Sequence, residues 1–265
     1  MTDALLQKID GGILTITLNR PEAANAIRPD DRDALIELFA AADADPDIRV
    51  VVLRANGKHF CSGADVVKLA DGHVKNVKRV TDPMRRIMTG AQRLIAAVLD
   101  CGKPVVSVVH GAAAGIGAHL AYASDLVIAT EAAYFSESFV KRGLVVDGGG
   151  AYLLPRLIGM QRAKELVFFG DKLRASEALG LGVVNRVVAE EDLELVLTEL
   201  TGRLATAPTS SIALTKRLFN GSLDGDRAAA FLAEAMAQEI QSYSADAKEG
   251  VRSFVERRPA EYRGW

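Results

Sequence analysis

The chain has 265 residues, 49% of them hydrophobic and 25% charged, enough apolar material for one large domain, or a domain with a small appendage. Its 32 basic and 34 acidic residues leave a formal net charge of -2, which gives no reason to expect nucleic acid, and no basic amphipathic stripe favours a membrane surface. No run approaches the roughly 20 apolar residues of a membrane span, the two cysteines cannot make a secreted disulfide framework, and the opening MTDALLQKIDG lacks the regions of a secretory signal, so a cytoplasmic protein is expected.

In chain order, Leu5–Ile9 and Ile13–Leu18 flank Asp10-Gly11-Gly12, a hairpin signal. Pro29 to about Ala44 reads as a helix, with Pro in its first turn and Leu35, Ile36 and Phe39 on one face. Val50–Arg54 is a continuous apolar strand, Pro83–Leu99 is helix-periodic, and Val105–Val109 and Leu126–Ala129 are strands again. This alternation continues to about residue 190 and predicts an α/β fold with parallel pairing. Beyond it, Glu190–Leu204, Ser210–Phe219, Asp226–Tyr243 and Ala245–Arg258 all read as helices, broken at Pro208 and Gly221–Gly225. A division into a core, 1–200, and a helical region, 201–265, follows.

Three segments carry candidate chemistry. In His59–Leu69, Gly63 lets the backbone bend or approach a ligand, and Asp65 sits where a helix would begin; the segment is either a capped helix start or a loop whose Ala64 N–H donates to a ligand. Gly111–Asp125, GAAAGIGAHLAYASD, follows a buried strand and opens a helix, leaving N–H groups unpaired at the helix start. Gly115 and Gly117 supply only part of a dinucleotide motif, with Leu120 at the third glycine position, so a nucleotide loop and an oxyanion hole both remain open. In Phe135–Arg156, Asp147 precedes three glycines and a helix-compatible run ending at Pro155. There Asp147 either caps the helix or stands beside a turn that a ligand passes closely.

Together these segments resemble the enoyl-CoA hydratase/isomerase (crotonase) family over essentially the whole chain. LNRPEAANAI at Leu18–Ile27 is similar to the family's LNRP-x-x-x-NA segment, and EGVRSFVERRPAEY at Glu249–Tyr262 to its C-terminal helix. FCSGADV and the Gly111–Asp125 segment are similar to its two signature loops. The resemblance implies an α/β spiral of repeated ββα units with a C-terminal helical trimerisation region, assembled as a homotrimer or homohexamer. It also implies an acyl-CoA substrate whose thioester carbonyl sits between the N–H groups of Ala64 and Ile116. Coenzyme A enters only as part of that substrate, its adenine end against the Cys61–Val66 loop, and no other cofactor is expected. Cys61, Ser62, Gly63, Asp65, Val66, Gly115, Gly117 and Phe139 are the implied substrate-binding positions, and Arg28 and Lys58 are candidates for the CoA phosphates.

The family's hydratases carry two glutamates that manage one water, and these positions align with His119 and Phe139, neither a carboxylate. Val140–Asp147 is instead similar to the V-K-x-GL-x-x-D of relatives that isomerise acyl-CoAs, where the Asp moves a proton. An acyl pocket lined by Phe139 and Val146 would raise the Asp147 pKa toward that role. His119 either bonds a nearby backbone carbonyl, or acts as a second acid/base or as a partner that orients Asp147. Strand alternation would put Glu137 on the Phe139 face, within reach of the pocket. His59, His73 and His110 read as structural or solvated, and no His and carboxylate spacing suits a metal. The leading expectation is an isomerase using Asp147. A hydratase with a modified water-activating set, a dehalogenase with Asp147 as nucleophile, and a non-catalytic acyl-CoA-binding protein are the alternatives.

Overall fold

The computed structural model describes residues 3–65 and 81–265. Val66 and His73, named above, lie outside the described residues. Leu5–Asp10 (β1) and Ile13–Leu18 (β2) pair antiparallel, from Leu5 opposite Leu18 to Asp10 opposite Ile13. Their turn places Gly11 and Gly12 at φ of 55° and 79°, a left-handed pair that only glycine adopts cheaply and that matches the twist of a two-residue hairpin. Pro29–Ala44 (α1) starts on proline, where the missing N–H costs nothing, and the Asp31 carboxylate accepts from the Arg28 N–H at 3.1 Å.

The main sheet has six strands in the order β1-β2-β3-β4-β6-β9, adding Val50–Ala55 (β3), Val105–Val109 (β4), Leu126–Thr130 (β6) and Arg186–Val188 (β9), all parallel from β2 onward. Its middle strands are mostly apolar, Ser107 and Thr130 being buried exceptions, because both faces are covered. Val51, Leu53, Val105, Val109 and Val127 join the large core under α1, while Val50, Val52, Val106, Val108 and Ile128 pack with Leu193 and Leu197 of the helix Leu193–Ala205 on the other side. The two-residue period of a strand thus divides one apolar run between two cores.

A second sheet, not apparent from the sequence, joins Ala112–Ala114 (β5), Tyr134–Ser136 (β7) and Lys172–Arg174 (β8). It reveals the repeat. After each of β4 and β6 the chain crosses at once to the second sheet (β5, β7) and then enters a helix, Ile116–Ala123 (α4) or Gly150–Ile158 (α5). After β3 the crossing is reduced to one bridge, Cys61 opposite Ala113. This is the ββα spiral expected from the resemblance.

Between β3 and β4, the predicted Pro83–Leu99 helix is divided: Asp82–Ile87 (α2), a π-helical turn Met88–Gln92, then Arg93–Asp100 (α3). After α5, which continues through Pro155 rather than stopping there, come Met160–Phe169 (α6) and Ala175–Gly180 (α7). Leu193–Ala205 (α8), Thr209–Gly221 (α9), Arg227–Ser242 (α10) and Ala245–Glu256 (α11) follow. Asp226 and Ser244 cap α10 and α11, each accepting a backbone N–H at 2.9 Å. No helix among the described residues is long and apolar enough to cross a membrane.

Lys216 on α9 is buried, and its ammonium donates to the Asp125 carboxylate at 2.8 Å and the Val98 carbonyl at 3.0 Å. Burial pushes the Asp125 carboxyl up, and Lys216 opposes that push. Replacing Lys216 by Ala strands the carboxylate, so urea unfolding should show a loss of about 3–5 kcal/mol; a loss below about 1 kcal/mol would mean that the ion pair does not fasten α9.

Candidate functional site

The first signature loop is held by the LNRPEAANAI segment. Asn25 is buried with φ of 55°; its amide donates to the carbonyls of Asn56 and His59, each at 2.8 Å, and its oxygen accepts from the Arg20 N–H at 2.8 Å. The Ala24 carbonyl accepts from the Ser62 N–H at 3.0 Å, and Ile27 bridges Ala64 by accepting from the Asp65 N–H at 3.0 Å and donating to the Gly63 carbonyl at 2.9 Å. The Asp65 carboxylate meets the Arg20 guanidinium at 3.3 Å, and Arg20 also donates to the Ala26 carbonyl at 2.7 Å. In that bridge the Ala64 N–H itself has no hydrogen-bond partner among the described residues.

On its other side the loop is sewn to β5. Cys61 donates to the Ala112 carbonyl at 3.0 Å and accepts from the Ala114 N–H at 2.9 Å. Gly63, with φ of 108°, passes so close to β5 that a Cβ there would stand 3.1 Å from the Ala114 carbonyl oxygen. Gly117 is tighter: a Cβ would lie 2.5 Å from the Cys61 carbonyl oxygen and 2.8 Å from its sulfur. Gly117 therefore serves the close approach of α4 to the loop, and the Cys61 thiol is buried in that contact, its pKa pushed up by burial to about 12.

Gly115, at φ of 51°, turns the chain from β5 into α4 with no side-chain cap, so the Ile116 N–H is unpaired among the described residues. Ala64 follows Cys61 by three positions, and Ile116 follows its bridge partner Ala113 by three. The two expected donors occupy equivalent places in adjacent repeats. Ala64 and Ser62 are exposed, whereas the Ile116 side chain is buried.

His119 sits in the next turn of α4, fully buried, and does not bond a backbone carbonyl. Its Nε2 lies 3.0 Å from the Glu137 carboxylate, also buried, and its ring stacks on Phe139 with centroids 5.9 Å apart and planes at 6°. Glu137 and Phe139 do not share a strand face as expected: β7 ends at Ser136, and Phe139 has turned into helical backbone ahead of the 3-10 turn Val140–Arg142. His119 Nδ1 and Glu137 Oε1 have no hydrogen-bond partner among the described residues. The Tyr122 phenol is pushed well above its ordinary range by burial and then by Glu137.

Asp147 does not cap α5. The cap is Gly149, at φ of 93°, with no side-chain bond. Two of the three glycines instead let the turn lie near the histidine: a Cβ on Gly150 would meet His119 Nε2 at 2.5 Å, and one on Gly148 would stand 3.4 Å from Nδ1, while one on Gly149 would meet Ile95 at 3.0 Å. The Asp147 side chain is half-buried and bonds no described residue; burial raises its pKa, His119 lowers it and Glu137 raises it. Of the candidates for CoA phosphates, Arg28 grips Asp31 through two bonds at 2.8 Å, while Lys58 is exposed. His59 accepts from the Ala112 N–H at 3.1 Å and His110 contacts the Gly57 carbonyl at 2.9 Å, both structural contacts. Among the described residues no group of three or more His, Cys, Asp or Glu could hold a metal. Arg20 and Tyr122 were not anticipated; the Arg within LNRP was the available signal for the first.

Gly117→Ala tests the contact between loop and helix. The added methyl has backbone in its way, so chemical denaturation should show a loss of about 1–3 kcal/mol. Native-state reactivity of Cys61 toward a thiol reagent should rise as the contact opens. A variant as stable and as unreactive as the parent would refute the packing role.

Residues 8–264 match the family model described as enoyl-CoA hydratase/isomerase. The probable enoyl-CoA hydratase of Rhodobacter capsulatus is 37% identical over 97% of this chain and 96% of that protein. The 1,2-epoxyphenylacetyl-CoA isomerase of Escherichia coli is 34% identical over 100% of both chains. The crystal structure of an enoyl-CoA hydratase/isomerase from Cupriavidus metallidurans CH34 superposes with a TM-score of 0.92 at 34% identity, covering 100% of this chain and 98% of that one. With the repeat, the paired signature loops and matches spanning nearly its whole length, the chain belongs to the enoyl-CoA hydratase/isomerase, or crotonase, family of acyl-CoA-processing enzymes.

Proposed function

We propose that this enzyme isomerises acyl-CoA thioesters through an enolate, with Asp147 as the base and the N–H groups of Ala64 and Ile116 as the oxyanion donors. One observation carries the reading: Asp147 is a carboxylate without a hydrogen-bond partner among the described residues, while the two glutamate positions of a hydratase hold His119 and Phe139. The relative that acts, by its name, as a 1,2-epoxyphenylacetyl-CoA isomerase is in keeping with it.

For a 3-enoyl-CoA the carboxylate of Asp147 takes a proton from C2. The electron pair left behind spreads to the thioester oxygen, where Ala64 and Ile116 donate to it. Asp147 then returns the proton to C4, and the double bond moves from C3–C4 to C2–C3. No other reactant is consumed. A donor aimed at developing charge is worth about 3–4 kcal/mol of barrier. The loop at 61–65 would take the adenine end through its exposed main chain at Ser62, with the buried Cys61 and Gly63 holding it in place, and Phe139 with Gly115 would border the acyl group.

A hydratase using His119 and Glu137 is the second reading, favoured by their pairing beside Asp147. Their burial argues against it, since both side chains are closed to bulk water. A pure acyl-CoA binder would have no use for a carboxylate whose burial opposes its charge.

Asp147→Asn should lower kcat on a 3-enoyl-CoA by about 10²–10⁴-fold and keep the affinity for a saturated acyl-CoA. Robust hydration of a 2-enoyl-CoA that ignores this substitution would overturn the reading, and tight binding without turnover of either enoyl substrate would favour the binder. Because the base must be ionised and its pKa is raised, activity should fall with decreasing pH above the ordinary aspartate range. The raised value also means that the folded state holds the proton more tightly than the unfolded chain, so stability is lost as pH rises through it. At neutral pH the Asn variant should therefore melt no lower than the parent.

We further propose that residues 201–265 form the trimerisation region. No residue of α10 is buried, and Phe231, Leu232, Met236 and Ile240 are exposed on it, with Val251, Phe254 and Val255 exposed on α11. Apolar exposure on this scale marks an interaction surface. Light scattering should give three or six times 28.3 kDa, and Phe231→Glu with Met236→Glu should reduce it; a parent protein running as a monomer would refute the assignment.

A further inference from the structure

We propose that His119 and Glu137 form a positioning pair for Asp147, an imidazole–carboxylate couple sealed in the core on which the Asp147–Gly150 turn rests. The inference rests on the assignment of Asp147 as base and goes beyond it, because neither member of the pair is given a proton to transfer.

Three observations converge. The pair is closed to solvent, with side-chain exposures of 0% and 1%, and is joined at 3.0 Å, so it cannot serve as a water-activating set in the open site. The imidazole is fixed by Phe139 stacked against it and by the backbone of Gly150, which has no room for a Cβ beside Nε2. Its other nitrogen, Nδ1, is buried, lacks a partner among the described residues, and lies against Gly148, the residue after Asp147. An unpaired nitrogen in the core carries a desolvation cost, which packing alone gives no reason to retain. Shifting the ring shifts the turn, and with it the carboxylate.

Among the described residues, the titratable groups acting on Asp147 are His119 from α4 and Glu137 just after β7. The π-helical turn meets the glycine turn with the methyl of Ala91, and Tyr122 of α4 faces Glu137. Their influences on Asp147 run in opposite senses: His119 favours the ionised carboxylate and Glu137 its protonated form.

The test uses the full-length protein with His119→Gln, which keeps an amide at the Nε2 end toward Glu137, and Glu137→Gln. The Asp147 carboxyl is titrated by ¹³C NMR of aspartate-labelled protein, its signal assigned by its absence from Asp147→Asn. The expected result is a titration midpoint moved up in His119→Gln and down in Glu137→Gln. With it should come a fall of at least tenfold in kcat and a dissociation constant for octanoyl-CoA within twofold of the parent. Midpoints that stay put, or move the same way in both variants, overturn the proposal, as does an unchanged kcat. Should a single variant fail to fold, His119→Leu with Glu137→Leu leaves no orphaned polar group; it should fold and bind octanoyl-CoA yet lose at least tenfold in kcat, and a parental kcat overturns the proposal. Failure of the base assignment reads differently: Asp147→Asn would then isomerise 3-enoyl-CoA as well as the parent, whatever the carboxyl titrations show.

Discussion

A single row of backbone pairing holds this site together. Cys61, Ala113 and Phe135 lie side by side, the first two joined by a bridge and the last two by the β5–β7 ladder, and each belongs to a successive turn of the spiral. From that row the three segments run on in the same direction and each delivers one part of the proposed site: the Ala64 N–H, the Ile116 N–H, and the stretch bearing Glu137, Phe139 and Asp147. Each of these hydrogen bonds contributes only about 1 kcal/mol net. Their value is geometric, because they set the register of otherwise irregular loops against one another, and register is what aims a backbone N–H.

The row is supported from both sides by groups that have little freedom. Asn25 spends both its amide hydrogens on loop carbonyls, and Arg20 pins Asp65 from the same segment. On the far side the bulk of Cys61 is met by a glycine of α4. Rigid backbone donors of this kind need no reorganisation when charge develops on a ligand. The half-buried Asp147 is the opposite case: its environment works against its charge, a cost that the surrounding core bears.

Much of this was legible in the sequence, for identifiable reasons. The hairpin at Gly11–Gly12, the proline start of α1 and the four C-terminal helices rest on local rules of turn, cap and period, and the helices lie within a few residues of where those rules put them. The second sheet was not legible, because its strands are three residues long and β5 is Ala-Ala-Ala, which carries no strand signal. The π-helical turn interrupts Pro83–Leu99 without any break in apolar period. At the site, the loops and Asp147 could be located from glycines and motif spacing. The bond from His119 to Glu137 could not, since it joins residues 18 apart through the core, and neither could the pairing of Arg20 with Asp65, 45 apart. Such contacts are properties of the packed repeat rather than of any window along the chain.

The close fit between His119 and Gly150 also constrains how this protein can change. While the imidazole occupies its place, position 150 admits no side chain, so the second residue is fixed by the choice of the first. A smaller group at 119 would still leave Val146 Cγ2 2.7 Å from a Cβ at position 150, and would leave Glu137 without its partner. Drift away from this arrangement therefore has to pass through several substitutions at once, at 119, 146 and 150. Gly150, the last of the glycine run after Asp147, records the shape of a histidine on another helix.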